Sequence, residues 1–287
     1  MFVVAPTRLV FALVTMTAIG FAAFSCGGDD TEEPPPLTSP SRDGSAPPPV
    51  DGGDTPDTAT PDGGPLPCPG SGGPDPIRVT TPTTSFCIDR SEVTRSQYEA
   101  FLATNPSPAA QATECAWNTT FVPNMNWPDG GAAATVDAPV TNVDWCDAVA
   151  YCKFVGKQLC KSILDADAGG VDQWQIACSH NGERKYPYGA TQDLGACNGP
   201  TDGGAIKPVM SSPRCEGGYD GIFDMTGNVQ EWRDGCKKAV DAGPASDTCV
   251  LGGGGFAQTA DNQACATTFV ANRSGAFADL GFRCCSP

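Results

Sequence analysis

Apolar residues recur at helical spacing in three short segments of the chain. The first segment begins with a capping box formed by Thr94 and Gln97, and Tyr98 and Phe101 follow on one helical face. The stretch 84–88 just before it is rich in β-branched and aromatic side chains, which predicts a short strand. The chain is therefore expected to pass from a strand directly into its first helix.

The second helical segment begins at Asp144, which is a good N-cap, and ends at Gly156. Its periodic apolar residues are Trp145, Ala148, Val149, Cys152 and Val155. A third and shorter helix is predicted over 174–178, with short strands near 249–251 and 281–284. Few helices, short strands and many loops predict an α+β domain held together by disulfides.

An export signal is predicted over residues 1–25. An apolar run of 16 residues begins at position 9 behind a short basic segment, and it is short for a membrane span. The run ends at Ser25 and Cys26, which resemble a bacterial lipobox. This pattern predicts lipidation of Cys26 and attachment of the exported protein to a membrane. A plain signal peptide cleaved near Ser25 is the alternative.

Residues 26–78 are predicted to form a disordered tether, and residues 79–287 a folded domain. Between positions 27 and 76 there are 14 Pro, 10 Gly and ten acidic residues, but a single basic residue. Such a composition cannot bury enough apolar surface to offset the entropy lost when the chain becomes ordered. The tether is interpreted as a spacer between a membrane and the domain, and a low-complexity tail without a function is the alternative.

Charge and cysteine content narrow the classes of function. The chain has 33 acidic and 17 basic residues, a net charge near -16, and this balance argues against a nucleic-acid partner. Its one histidine, His180, excludes sites built from two or three His ligands. Of 15 Cys, 14 remain without Cys26, and an even number predicts a disulfide framework in an oxidising compartment. We therefore expect a periplasmic or cell-surface location.

Seven segments of the folded part carry a common resemblance, and the most specific of them reads GIFDMTGNVQEW from 221 to 232. The others are 86–94, 139–152, 156–159, 186–189, 252–256 and 281–284. In order and spacing they resemble the formylglycine-generating enzyme family, also called the sulfatase-modifying factor family. The resemblance covers nearly all of 86–284 and implies a variant of the C-type-lectin fold.

The resemblance also implies structural Ca²⁺. One ion would be held by the side chains of Asp224 and Glu231 and the carbonyl groups of Gly227 and Val229, since Ca²⁺ prefers about six to eight oxygen ligands. A second site would map to the following residues: Asn198, Gly199, Asp202 and Gly204. The alternative is an acidic turn whose side chains accept hydrogen bonds from local backbone amides.

The oxidases of this family bind Cu(I) through a pair of cysteine thiolates that follow a Gly-Gly-Ser motif. Here the motif is Gly-Gly-Gly at 253–255, and Gln258 stands at the first cysteine position. The second position falls at Gln263 or, with a gap, at Cys265, which makes Cys265 the remaining candidate for a catalytic residue. Copper binding is not expected, because an amide is a poor replacement for a thiolate as a ligand of Cu(I).

Two functions follow from the resemblance. Arg273, Gln258 and Gln230 are expected in the substrate groove, whereas Arg283 is expected to make structural hydrogen bonds. A non-catalytic binding module would use this groove for a protein or glycan ligand that the sequence does not identify. The alternative is a copper-dependent oxidase that converts a Cys of sulfatases or similar proteins to formylglycine. The departures at the copper site favour the binding module.

Three disulfides are expected. The resemblance implies that Cys152 pairs with Cys284 and that Cys178 pairs with Cys265. Cys236 and Cys249 are expected to close a short local loop. The sequence leaves eight further cysteines without an assigned partner: Cys68, Cys87, Cys115, Cys146, Cys160, Cys197, Cys215 and Cys285.

Overall fold

The predicted helices are present in the computed structural model, which describes residues 67–124, 127, 135–163, 170–201 and 204–287. The helices are α1 Arg95–Ala103, α2 Trp145–Phe154 and α3 Gln173–Ser179. The capping box of α1 is confirmed, because the Thr94 hydroxyl accepts from the Gln97 amide and the Gln97 side chain accepts from the Thr94 amide. Asp144 caps α2 in the same reciprocal way with Asp147.

The strands form two four-stranded sheets and a two-stranded ribbon in the described part of the chain. The strands are β1 Pro76–Thr80, β2 Ser85–Asp89, β3 Gln158–Leu159, β4 Glu216–Gly217, β5 Tyr219–Phe223, β6 Gln230–Lys237, β7 Thr248–Gly252, β8 Thr268–Asn272, β9 Leu280–Phe282 and β10 Cys284–Ser286. The orders are β1-β2-β10-β3, β4-β5 and β8-β7-β6-β9. This mixture of short helices and strands is the α+β architecture expected from the sequence.

The sequence suggested a single strand over 281–284, but this stretch belongs to two strands. It divides at Arg283 into β9, which runs parallel to β6, and β10, which pairs antiparallel with β2 and β3. The chain therefore changes sheets at a single residue. The Arg283 guanidinium lies in the interior at this point and bonds to groups from several elements, so the break is held by buried hydrogen bonds.

The folded part begins earlier than residue 79. β1 starts at Pro76 and pairs with β2, and Cys68 forms a disulfide with Cys87. The Lys157 ammonium donates to the Pro74 carbonyl at 2.9 Å. The boundary predicted from composition was wrong, because a covalent link and strand pairing order this Pro- and Gly-rich segment. Cys26 and the rest of residues 1–66 lie outside the described residues.

Seven disulfides use every cysteine of the described residues. The pairs are Cys68–Cys87, Cys115–Cys146, Cys152–Cys284, Cys160–Cys285, Cys178–Cys265, Cys197–Cys215 and Cys236–Cys249. The three pairs expected from the sequence are among them. So many disulfides indicate an oxidising, extracytoplasmic environment. None of the helices that the structure describes has the length and apolar character needed to cross a bilayer.

The core consists of two large apolar clusters. One gathers α1, α2, β6 and β9, and the other gathers α3, β2 and β5. Trp145, Trp174 and Trp232 are buried in these clusters, and each indole N–H has a hydrogen-bond acceptor, as buried tryptophan requires. The acceptor of Trp174 is the Glu231 carboxylate, which connects the core to the residues considered next.

Candidate functional site

A groove lies over the end of the sheet formed by β6, β7 and β8. Its cavity measures about 480 Å³ and is bounded by Gln230, Gln258, Phe269 and Phe277, among others. The ten described residues that line it are all uncharged, although the chain carries a net charge near -16. An uncharged cavity of this kind suits a neutral ligand, because a charged group would lose its hydration there without gaining a partner.

Two of the three predicted groove residues, Gln230 and Gln258, line this cavity together. Gln230 is 7% exposed, and its enclosed Nε2 has no hydrogen-bond partner among the described residues. The Gln258 side chain accepts a hydrogen bond from the Asn262 amide at 3.3 Å. Amide side chains along an uncharged cavity favour a ligand with carbonyl or hydroxyl groups, since an amide both donates and accepts hydrogen bonds.

Arg273 does not line the groove. Its guanidinium is buried, pairs with Asp247 at 3.0 Å and donates to the Glu114 carbonyl at 3.3 Å. It also lies over the Trp145 ring at 4.8 Å from the ring centroid. The prediction for Arg273 was wrong because a buried guanidinium needs a carboxylate partner, which Asp247 supplies and the uncharged groove does not.

Cys265 is buried and bonded to Cys178, so it is not a free thiol beside the groove. Because every cysteine of the described residues lies in a disulfide, none of these residues offers a thiolate to Cu(I). The role of Cys265 is to link α3 to the segment that precedes β8. The candidate catalytic role is therefore corrected to a structural one.

Glu231 does not fit the first calcium site that the sequence suggested. Its two carboxylate oxygens accept four hydrogen bonds, three from Arg283 at 2.7 to 3.0 Å and one from Trp174 at 2.7 Å. Both Glu231 and Arg283 are fully enclosed, with side-chain exposures of 1% and 0%. A cation would have to displace this guanidinium, so Glu231 is assigned to an ion pair.

Arg283 joins several elements through that ion pair. Besides Glu231, it donates to the carbonyl groups of Asp89, Phe223 and Asp224, at 3.0 to 3.2 Å. Burial lowers the pKa of a guanidinium, but Glu231 and the nearby carboxylates outweigh it, so the pKa of Arg283 is raised. The expected structural role of Arg283 is confirmed.

Glu92 and Asp224 lie beside this ion pair without a basic side chain of their own among the described residues. Burial is the main cause that raises the pKa of both groups, to about 6 for Asp224 and well above the usual range for Glu92. Asp224 accepts from the Met210 amide, whereas Glu92 Oε2 has no hydrogen-bond partner in the described part of the chain. A pair of buried carboxylates with an unpaired oxygen is an arrangement that a cation can stabilise.

The remaining residues of the first predicted site, Gly227 and Val229, lie in the turn between Asp224 and β6. Gly227 has a φ of +83°, and a side chain there would meet the Asn198 carbonyl at 2.6 Å. Val229 is buried just before β6. The turn therefore positions Asp224 at one end and Glu231 at the other, but aims Glu231 at Arg283.

The second predicted site is partly described. Asn198 is buried and donates to Ala205 O and to Asn228 Oδ1, and no described residue contacts its own Oδ1 as a hydrogen-bond donor. Gly199 packs against the Gln263 amide, and Gly204 has a φ of +68° in an open turn. Asp202 lies outside the described residues. In the described part, no three His, Cys, Asp or Glu side chains converge as a metal site would require.

Two residues of this region escaped the sequence analysis as site residues, namely Glu92 and Asn228. The Asn228 amide donates to Glu92 Oε1 at 3.1 Å and also links to Asn198. The signal for Glu92 was its position within 86–94, a segment that begins with an apolar strand and leads into the buried residue Val93. A charged side chain on a segment that must be buried predicts a polar partner elsewhere in the fold.

Comparisons with known proteins show a family and give relatives at modest identity. Residues 50–286 match the family described as "Sulfatase-modifying factor enzyme 1-like domain". One relative, "Inactive C-alpha-formylglycine-generating enzyme 2" of Bos taurus, is 30% identical over 174 residues, which are 55% of this chain and 54% of that protein. The chain thus spans about half the length of the curated relatives it matches.

Similar solved structures include CarF and PvdO from Pseudomonas aeruginosa. CarF is 22% identical with a TM-score of 0.48, over 71% of this chain and 87% of CarF. PvdO is 18% identical with a TM-score of 0.49, over 71% of this chain and 80% of PvdO.

Proposed function

Because the chain belongs to the sulfatase-modifying factor enzyme 1-like domain family, we propose that it is a non-catalytic binding module and not a formylglycine-generating oxidase. The observation that carries this proposal is the disulfide between Cys178 and Cys265, which removes the last thiol at the expected copper position. Relatives that are named as inactive enzymes support the same reading.

The ligand of the module is an uncharged segment of a protein or a glycan. The groove has an apolar base formed by Leu251 and Phe269, and it has amide side chains at Gln230 and Gln258. The aromatic Phe277 on its rim is 50% exposed. Such a surface combines apolar contact with a few directional hydrogen bonds, which is how binding sites obtain both affinity and orientation.

Absence of oxidase activity is the first prediction. Protein treated with Cu(I) and oxygen is incubated with a peptide that carries the Cys of a sulfatase motif, and mass spectrometry follows the aldehyde product. We expect no conversion, because a copper site with two thiolates needs two reduced cysteines that face one point.

The controls for this assay test whether freeing a cysteine from its disulfide is enough to give activity. Cys178→Ser frees Cys265, and Cys236→Ser frees Cys249 outside the groove; neither variant is expected to gain activity. Turnover by the unmodified protein that disappears in Cys265→Ala would overturn the proposal and restore the oxidase.

Calcium is proposed as a structural ligand, with Glu92 in the place first assigned to Glu231. Glu92 and Asp224 would hold the ion, and its positive charge would neutralise two buried carboxylates. Asn198, with an unpaired Oδ1, belongs to the second proposed site. Calcium supplies charge compensation and rigidity here, and no chemical step depends on it.

The calcium prediction is a change in thermal stability. Chelation is expected to lower the Tm of the protein. A ligand that binds only the folded state stabilises it by about 2.7 kcal/mol when its concentration is about a hundred times its Kd. Glu92→Gln should remove most of this effect, whereas Glu99→Gln on the exposed face of α1 should preserve it. Equal melting of the unmodified protein with chelator and with added Ca²⁺ would refute both sites.

A lipid anchor at Cys26 is proposed for the exported protein, with the segment after it as a spacer. The support is the apolar run followed by Ser25 and Cys26. In a bacterial host the unmodified chain is expected to enter the detergent phase on phase separation, and Cys26→Ala to remain in the aqueous phase. Ser25→Ala is the matched control. If the unmodified chain and Cys26→Ala partition alike, a plain signal peptide is the better interpretation.

A further inference from the structure

Helix α2 is apolar on two sides. One side packs into the core through Ala148, Tyr151 and Cys152. The other side is formed by two rows at a spacing of four residues: Trp145, Val149 and Lys153, and Cys146, Ala150 and Phe154. Val149 and Ala150 lie in the middle of this second side and are only partly buried. A helix that is apolar on both sides is normally enclosed by protein, so the second side calls for an apolar contact.

The second side of α2 borders a cavity of about 410 Å³. The opposite walls come from Phe101 of α1, from Phe121 and from the segment 106–115. The disulfide between Cys115 and Cys146 links that segment covalently to α2, so the two walls cannot separate freely. The volume falls within the range of small-molecule sites, about 300 to 1,000 Å³.

Aromatic rings form much of the lining. The Phe101 ring lies 5.3 Å from the Phe154 ring and 5.5 Å from the Phe121 ring, measured between centroids. Phe154 is nevertheless 49% exposed, at the mouth of the cavity. Burial of this exposed ring and of the half-buried side chains of α2 would favour the entry of an apolar chain.

The mouth carries one basic and one acidic side chain, Lys153 at the end of α2 and Glu114 on the facing segment. Lys153 is exposed and has no ion-pair partner among the described residues. Its side chain lines the cavity, and a lysine stem can pack along apolar surface while its ammonium group stays in water. An acidic head group would be drawn to Lys153 and repelled by Glu114, which gives a bound molecule one orientation.

We propose that this cavity binds the apolar chain of a medium-chain carboxylic acid, with the carboxylate at Lys153. The site is separate from the uncharged groove at Gln230 and Gln258, and the described residues that line the two cavities are all different. The proposal therefore stands independently of the function proposed for the groove.

Calorimetric titration of the full chain with decanoate, below its critical micelle concentration, tests the proposal. Saturable binding of one molecule per chain is expected. Val149→Phe fills the cavity and should weaken binding at least about tenfold. Ala150→Leu fills it from the neighbouring row, so it replaces Val149→Phe if that variant does not fold. Intact disulfides and a cooperative melt establish folding.

Head-group selectivity tests the role of Lys153. Lys153→Met keeps the apolar stem and should weaken decanoate binding about fivefold or more, whereas exposed Lys238→Met should leave it unchanged. Decanol should bind the unmodified protein about as weakly as decanoate binds Lys153→Met. Decyltrimethylammonium should bind more weakly than decanoate, and Lys153→Glu should reverse that order.

Three outcomes would overturn the proposal. They are the absence of saturable decanoate binding, equal binding by the cavity-filling variants, and equal affinity for the cationic and anionic amphiphiles. Concentration-dependent self-association without decanoate binding, abolished by Val149→Asp, would instead assign this side of α2 to a contact between chains.

Discussion

Arg283→Met is expected to lower the free energy of unfolding by about 3–5 kcal/mol or to prevent folding, because it leaves Glu231 buried without a positive partner. Glu231 lies close to Glu92 and Asp224, so the variant would leave three buried carboxylates without the Arg283 guanidinium. The loss also removes the donors to three carbonyl groups at the point where the chain changes sheets. Denaturant unfolding, followed by circular dichroism, measures the effect.

An exposed ion pair provides the matched control for this prediction. Arg214 pairs with Asp193, and the two side chains are 63% and 46% exposed. Arg214→Met should change stability by about 1 kcal/mol or less. The double variant Arg283→Met/Glu231→Gln should recover part of the loss, since it no longer buries an unpaired charge at 231. Equal stabilities of Arg283→Met and Arg214→Met would contradict the structural role given to Arg283.

Lys157→Met is expected to destabilise the domain by about 3–5 kcal/mol at pH 7, and by less at pH 4. Lys157 and Asp89 form a buried ion pair at 2.5 Å with side-chain exposures of 1% and 0%. Burial raises the pKa of Asp89 to about 6, even though Lys157 lowers it. Without Lys157 the pKa of Asp89 should rise further.

The sign of the pH dependence follows from proton linkage. A carboxyl whose pKa is raised by folding binds its proton more tightly in the folded state. Its contribution is favourable below about pH 4 and is lost as the pH rises through the folded-state pKa. In the unmodified protein, folding raises the pKa of Asp89 from the ordinary value of 3.8 to about 6. This rise corresponds to a pH-dependent contribution of about 3 kcal/mol to the free energy of unfolding. The stability gap between the unmodified protein and Lys157→Met should therefore widen from pH 4 to pH 8.

Two variants check that the gap belongs to Asp89. Lys157→Met/Asp89→Asn should lose the widening, because Asn does not titrate. Lys237→Met, at an exposed position on β6, should leave stability nearly unchanged at every pH. If the difference in free energy of unfolding between the unmodified protein and Lys157→Met stayed constant across this pH range, the Lys157 side chain would contribute by packing. The charge of Asp89 would then have no part in the effect of the substitution.

The helices and the family of this protein could be predicted from its sequence, because both depend on short segments. The capping boxes at Thr94 and Asp144 use residues three positions apart, and the apolar faces of α1 and α2 repeat within four. The motif at 221–232 is continuous in the chain. Composition failed at the N-terminal boundary, where a disulfide from Cys68 and the pairing of β1 order a segment whose residues favour disorder.

The partners of charged residues were decided by the tertiary structure. Glu231 and Arg283 are 52 residues apart, Glu92 and Asn228 are 136 apart, and Asp89 meets Lys157 across 68. Arg273 was expected in a groove and lies instead against Asp247 and Trp145. The tertiary structure likewise decided the partners of the eight cysteines that the sequence left unassigned. The chemical type of a side chain determines what kind of partner it needs. Only the folded chain brings one particular partner within about 3 Å. Because burial makes an unpaired charge costly, that pairing then contributes strongly to stability.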